Sequence, residues 1–393
     1  MTSSLNISVW NNANDIEKIL PEWETLLDQA PSATIFSTWE WLASWWRSFG
    51  HGELFVLGFY QAGELVGLAP LCVTERSVAV SVKMKVLCFL GDGSGDSDNL
   101  DIIAKSGYED AVAEALLQHL KALSGPWQLI QLNTMPSGSP VGARLVPRMA
   151  SREWTTFERS KPASSIDLPD TWKEYLGRLA SEDRNNLTRY RKRLSKRHAA
   201  KFYKATTREE VDFCLQTLYR LHQLRWQLRG ESGSFASTDR RNFYSDISHL
   251  FMARGWLELW ALEVDGLTVA VQFAFRYRDH VFQLQEGFDP QYSSDRVGML
   301  LRGHVIEQLI AERIKCYDFL GGEPGYKSRW GAVKDHYIYL QFARRRSLGS
   351  AYLLLMKNAM NGKQTLRNKL PKFAWDILHH VNAGLMGRHA TKA

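Results

Sequence analysis

Two apolar hairpins with the same plan stand 203 residues apart, and this repeat constrains the fold more than any other feature. LFVLGFYQAGELVGLAPLCV (54–73) and LELWALEVDGLTVAVQFAFRY (257–277) each read as a strand, a glycine-bearing turn and a second strand. The turns, Ala62-Gly63 and Asp265-Gly266, permit the positive φ angles of a two-residue hairpin. Each turn is followed by a valine and a small residue, Val66-Gly67 and Val269-Ala270. The surroundings repeat as well. An amphipathic stretch (16–27) and the aromatic segment FSTWEWLASWWRSFG (36–50) precede the first hairpin. The strand KVLCFLG (85–91), a helix over 108–123 and the strand WQLIQL (127–132) follow it. Around the second hairpin stand a helix over 208–228, a strand at 280–288, a helix over 298–313 and a strand at 316–322, then an alternating strand at 336–345. This order predicts a mixed α/β (α+β) chain of two tandem domains, each a mixed central sheet flanked by helices. The expected boundaries are 1–170 and 205–345, with a basic connecting helix at 171–204 and a basic amphipathic helical tail at 346–393.

The charge is unevenly placed. Residues 184–204 hold nine basic side chains and no acid, and 344–393 hold ten against the single Asp376. Each segment therefore carries +9, and with a total of +7 the rest of the chain is at −11. An acidic body with two basic helical segments points to specific anionic partners. The connecting segment can be a solvated helix face, a contact for a donor's phosphates, or an RNA contact. The tail can lie on an anionic membrane or pack on the acidic body.

Composition excludes several classes. With 45% hydrophobic and 23% charged residues the chain is globular rather than disordered. Cys72, Cys88, Cys214 and Cys316 are widely spaced with no C-x-x-C pair, so no structural metal or disulfide framework is expected. The first residues lack the basic and apolar regions of a signal peptide, and no run approaches the ~18 apolar residues of a membrane span. The expected location is cytoplasmic, with the tail as a peripheral contact to the inner membrane. G-x-S-x-G and H-E-x-x-H are both missing, which argues against a serine or zinc hydrolase.

An ordered set of motifs then carries a resemblance: FSTWEWLASWW (36–46), FLGDGSGDSDNLDII (89–103), LHQLRW (221–226), EGFDPQYSSDRVGMLL (286–301) and DFLGGEPGYKSRWG (318–331). The chain resembles the BioF2-like, CelD/BcsL-type branch of the GNAT acyltransferase superfamily, related to the Fem peptidyltransferases. The resemblance covers most of residues 10–345. It implies two GNAT-like folds and acyl transfer to an amine or hydroxyl, in cell-surface polysaccharide or peptidoglycan assembly. The implied donor is acetyl-CoA or another acyl-CoA, or aminoacyl-tRNA in Fem relatives. A non-catalytic binding protein of an assembly complex is the remaining alternative.

The resemblance also implies site residues. A cradle for pyrophosphate belongs at a helix N-terminus, where N–H groups and the dipole favour anions. Here that is Arg296, Val297, Gly298 and Met299, although Asp295 would repel phosphate. The turn after 318–322 offers Tyr326 to protonate a leaving group and Lys327 to hold a phosphate or carboxylate. Glu286 and Asp318 are acid–base candidates. His222, Arg225 and Trp226 share a helical face as substrate contacts. Asp98 and Asp101 fall where relatives carry an acidic pair, so that loop is either a substrate contact or a solvated turn. Trp39, Trp41, Trp45 and Trp46 are either a sugar-stacking platform or an aromatic helix buried against the sheet.

Overall fold

The computed structural model describes residues 5–79, 82–123, 125, 127–149, 153–227, 233–322 and 325–369. Its framework is one sheet of thirteen strands among the described residues. The first half supplies β1 (Asn6–Trp10), β2 (Glu53–Gln61), β3 (Glu64–Ala79), β4 (Val82–Phe89), β5 (Ile103–Ala104), β6 (Leu129–Pro136) and β7 (Trp154–Asp167). The second half supplies β8 (Ala200–Lys204), β9 (Leu257–Val264), β10 (Leu267–Tyr277), β11 (His280–Phe288), β12 (Cys316–Gly321) and β13 (Val333–Arg344). The helices are α1 (Ala13–Glu17), α2 (Leu20–Gln29), α3 (Trp39–Phe49), α4 (Glu109–Ala122), α5 (Pro140–Met149), α6 (Trp172–Arg178), α7 (Ser181–Arg197), α8 (Arg208–Gln227), α9 (Thr238–Ala253), α10 (Val297–Ala311) and α11 (Leu348–Lys369). They flank the sheet as a mixed α/β order requires.

The sheet order is β1-β2-β3-β4-β6-β13-β7-β12-β11-β10-β9-β8, with β5 on β3. Read from either edge, four antiparallel strands lead to a parallel pair, β4 with β6 or β11 with β12. The hairpin repeat survives in detail. Ala62 and Gly63 have φ of 49° and 85°, and Asp265 and Gly266 have 51° and 84°. Both are the left-handed pairs that match strand twist in a two-residue turn. Each second strand then bulges at the repeated valine: the register skips Val66 in one hairpin and Val269 in the other. In both, the skipped valine's carbonyl accepts from a backbone N–H beyond the hairpin, Lys105 N at 2.9 Å and Asp289 N at 2.8 Å. Alanine at Gly266 would hold a side chain at positive φ; a loss of about 1 kcal/mol in urea unfolding is expected.

Three expectations change. The strand read as closing the second unit, β13, stands between β6 and β7 and pairs with β7 over twelve positions from Val333–Ser165 to Arg344–Trp154. No sheet boundary therefore falls at 170. The helix read over 171–204 is two helices and a strand. Leu179 takes extended backbone and Ala180 a non-helical one between α6 and α7, and β8 then joins the sheet on β9. The tail helix runs through Gly362 to Lys369; Pro371 and the rest lie outside the described residues.

The aromatic segment resolves toward burial. Trp41 and Trp45 are buried on α3. Trp41 meets Phe243 of α9 at 5.1 Å and Phe275 of β10 at 5.3 Å between ring centroids. Its indole donates to Ser97 Oγ, and that of Trp45 to Ser94 Oγ. The acidic loop 91–101 is thereby held at the seam. Tyr244 donates to Asp96 at 3.0 Å, Arg240 pairs with Asp96 at 3.0 Å, and Asn99 donates to Tyr337 Oη.

Candidate active site

β11 and β12 pair only at His280–Cys316, Val281–Tyr317 and Phe282–Asp318. Beyond that point β11 has a bulge at Leu284 against β10, and β12 one at Phe319-Leu320 against β7, where Leu320 has φ 60°. The two strands part, and α10 begins beside the gap. Asp289 caps the turn after β11 through Gln291 N at 2.9 Å, and Arg296 at φ 58° redirects the chain into α10. No side chain caps α10, so the N–H groups of Val297, Gly298 and Met299 present the positive end of the helix. A Cβ on Gly298 would lie 3.1 Å from the Phe288 ring, which explains a small residue in this turn.

A cavity of about 510 Å³ opens here. Its walls are the end of β11 (Glu286, Phe288), the start of α10 (Arg296 to Met299, Arg302), the turn 325–330 (Tyr326, Arg329, Trp330) and the α6–α7 segment (Asp183, Arg189, Tyr190). The basic segment thus belongs to the same surface as the helix N-terminus. α7 reaches it because Leu187 sits over Gly303, where a Cβ would lie 2.9 Å from the leucine methyl. Arg191 pairs with Glu307 at 2.8 Å.

Asp295, the residue expected to repel phosphate, is neutralised. Arg193 holds it at 2.9 Å and Arg197 stands at 3.6 Å. Burial works against its charge, but the Arg193 hydrogen bond and the two guanidinium charges keep its pKa below the usual carboxylate value. Arg302 is the cation at the back of the cavity. It pairs with Glu286 and lies 4.8 Å from the Tyr326 ring, 5.4 Å from Trp330 and 5.6 Å from Phe319. Tyr326 is half-exposed above it. Arg329 reaches Asp183 at 2.6 Å and ties the turn to α7.

Of the residues expected from sequence, Glu286, Arg296, Val297, Gly298, Met299 and Tyr326 come together around this cavity. The others do not. Lys327 is buried, and its Nζ donates to the carbonyls of Phe319, Leu320 and Gly321 at 3.3, 3.1 and 3.0 Å. Its three protons are used by backbone, so it is a brace for the β12 bulge rather than a phosphate ligand; burial lowers its pKa. Asp318 lies beneath this brace, accepts from Leu320 N at 2.7 Å, and is pushed up to about 7 by burial. Asp98 accepts from Gly321 N at 2.9 Å and joins the same cluster across the seam. Asp101 is separate and buried, accepting from Ser139 Oγ at 2.7 Å and Ile102 N at 2.8 Å. His222 is on α8, which covers the opposite face of the sheet from α10, with its ring edge-on to Phe235 at 4.9 Å. The side chains of Arg225 and Trp226 lie outside the described residues, as does Glu323. Among the described residues no group of His, Cys, Asp and Glu forms a metal site, and no helix is long and apolar enough to cross a membrane.

Sequence reasoning missed Arg302 and Tyr190. The signal for Arg302 was present: it is a lone cation in the first three turns of an otherwise apolar helix, VGMLLRGHVI. A buried arginine implies an acid beside it, and the half-buried Glu286 is that acid.

These elements make a mixed α/β, GNAT-like fold with helices flanking a central sheet. Residues 181–328 match the family model described as an acetyltransferase (GNAT) domain. Among solved structures, FemX superposes with a TM-score of 0.58 at 10% identity, over 82% of this chain and 95% of FemX. A conserved protein of unknown function from Bacteroides thetaiotaomicron VPI-5482 superposes at 0.54 and 13% identity, over 86% of this chain and 100% of that one. At such identities the likeness is one of fold. No curated protein matches the sequence.

Proposed function

We propose that the chain transfers an acyl group from a phosphate-bearing donor, held at the first turn of α10, to an amine or hydroxyl, and that the donor is an aminoacyl ester on RNA. The observation that carries this reading is that the basic helix α7 forms one wall of the cavity into which the uncapped α10 turn points. Arg189 lines the cavity; it, Lys192 and Lys196 on α7 and Lys201 on β8 are exposed and make no salt bridge among the described residues, so a polyanion has cations to meet. The likeness of fold to FemX supports it.

In this reading the acceptor nitrogen attacks the ester carbonyl, the C–N bond forms and the C–O bond breaks. The leaving ribose oxygen takes up a proton, for which Tyr326 stands on the cavity wall, and the amine gives one up, for which Glu286 lies on the same wall. The mirrored sheet order supports two GNAT-like units that exchange their central strands β7 and β13. The acceptor fits a saccharide or peptidyl precursor of the cell surface. Exposed Leu348, Leu354 and Leu355 on α11, beside Arg344–Arg346, support a contact with an anionic membrane from the cytoplasmic side.

A second reading, acyl-CoA as donor, draws on the parting of β11 and β12, a slot suited to an extended pantetheine arm. Binding separates the two. If the RNA reading holds, affinity for aminoacyl-tRNA falls steeply with salt, and R189Q/K192Q/K196Q reduces the slope of log K against log salt by about three. Thermal stabilisation by acetyl-CoA with no salt-sensitive RNA binding would instead select the second. Neither response would leave a non-catalytic binding protein.

A further inference from the structure

A second cavity, of about 520 Å³, lies where the first helices meet the turns of the second half. Glu24 and Asp28, one turn apart, place one face of α2 along it. Trp39 and Glu40 come from the start of α3, Arg254 and Trp256 from the turn between α9 and β9, and Tyr277 and Arg278 from the turn between β10 and β11. The size is that of ordinary small-molecule sites, about 300–1,000 Å³. The α10 cavity is elsewhere. β11 runs from His280 at this end to Phe288 at the other, about 25 Å away. Tyr277 also belongs to the core on the α8 face of the sheet, not the α10 face.

Ion pairs fix the frame of this cavity and leave other groups open. Nε of Arg254 donates to Glu40 at 2.6 Å, and the same guanidinium pairs with Glu24. Arg278 donates to the carbonyls of Leu27 and Ala30 at the end of α2. Asp28 stays exposed, 4.0 Å from Arg278 and beyond hydrogen-bond reach. The guanidiniums also lie over two rings, Arg254 5.3 Å from the Trp256 centroid and Arg278 5.3 Å from that of Tyr277. Trp39 carries no cation among the described residues, and it is half-exposed where Trp41 and Trp45 of the same helix are buried. The indole N–H groups of Trp39 and Trp256 and the Tyr277 hydroxyl bond to no group among the described residues, and none of the three is cut off from solvent.

We propose that this cavity is a binding site for an uncharged saccharide ring. Three carboxylates line it, so an anion is repelled. Two guanidiniums line it as well and already cover two of the rings, so a cation meets like charge where aromatic faces would receive it. The groups left open are one acceptor, Asp28, and the N–H and O–H donors of Trp39, Trp256 and Tyr277. A ligand that uses both kinds must donate and accept, which a hydroxyl does. Trp39 supplies the open ring, whose negative face attracts the weakly positive C–H face of a pyranose. The site is independent of what the α10 cavity binds.

A plain glucan and an N-acetylated amino-sugar chain both offer this chemistry, so cellobiose and N,N′-diacetylchitobiose serve as probes. The full chain is titrated calorimetrically with each, beside sorbitol, which has hydroxyls but no ring, and tetramethylammonium, which has charge but no hydroxyls. At least one disaccharide binds at millimolar or lower concentration, with both controls at least fivefold weaker, the scale of one aromatic contact. W39A and D28A each weaken that sugar about fivefold, while R296Q at the other cavity leaves it unchanged. Asp28 is exposed, so D28A decides the matter if W39A does not fold. Which disaccharide binds identifies the source. The proposal falls if neither disaccharide binds, if either control binds as tightly, if a folded W39A or D28A binds as the unaltered chain does, or if R296Q abolishes binding.

Discussion

Raising the pH from about 4 to about 7 is expected to cost the folded chain several kcal/mol of stability, because Asp101 and Asp318 keep their protons in the fold. Burial is the main cause at both positions and pushes each up to about 7 from the ordinary 3.8. Below the ordinary value both states are protonated and nothing is lost. Between the two values the unfolded chain releases protons that the folded chain retains, so unfolding gains; above about 7 the loss is complete. A shift of one unit is about 1.4 kcal/mol, which bounds the effect at about 4 kcal/mol for each group. Asparagine at Asp101 keeps an oxygen for Ser139 and Ile102 but cannot ionise. Urea unfolding across this pH range should show D101N with about half the pH dependence and higher stability at pH 7. Parallel profiles for the two proteins would contradict the assignment.

Arg302→Ala is expected to cost about 3 kcal/mol and to abolish donor binding. The guanidinium is 4% exposed, between three aromatic rings, and its loss leaves both a cavity and the carboxylate of Glu286 unpaired. Breaking one side of a buried pair costs about 3–5 kcal/mol. The low end applies because Glu286 retains some exposure. R302M/E286L should recover most of the stability, since apolar side chains of similar volume replace a buried pair at little cost. It should not recover binding. Denaturant midpoints for the single and double variants decide the point: a double variant no more stable than R302A would show that packing, not the unpaired acid, dominates.

Much of the second half's site was readable because its parts are local. Arg296 to Met299 form one turn, and a turn before an apolar helix is marked by adjacent residues. Lys327 misled for the opposite reason. Its place in the chain is a glycine-rich turn rich in charge, but which atoms its ammonium meets depends on the β12 bulge at Leu320. His222 shares a helical face with its neighbours as expected, yet the face on which α8 lies against the sheet puts it on the far side from α10. Asp98 and Asp318 are 220 residues apart in sequence and meet only where the halves join.

The sequence alone determined the two hairpins and their glycine-bearing turns, the helices over 108–123, 208–228 and 298–313, and the concentration of charge in the segment that holds α7. These depend on φ preferences, two-residue alternation and short helical spacing, which adjacent residues settle among themselves. Only the tertiary structure decided that β7 and β13 lie together at the centre of one continuous sheet, that α7 closes the cavity at α10, and that the acidic loop is held by α3 and α9 rather than by solvent. Strand order and register between distant segments are fixed by which apolar faces cover one another when the chain closes, and no local spacing records that choice.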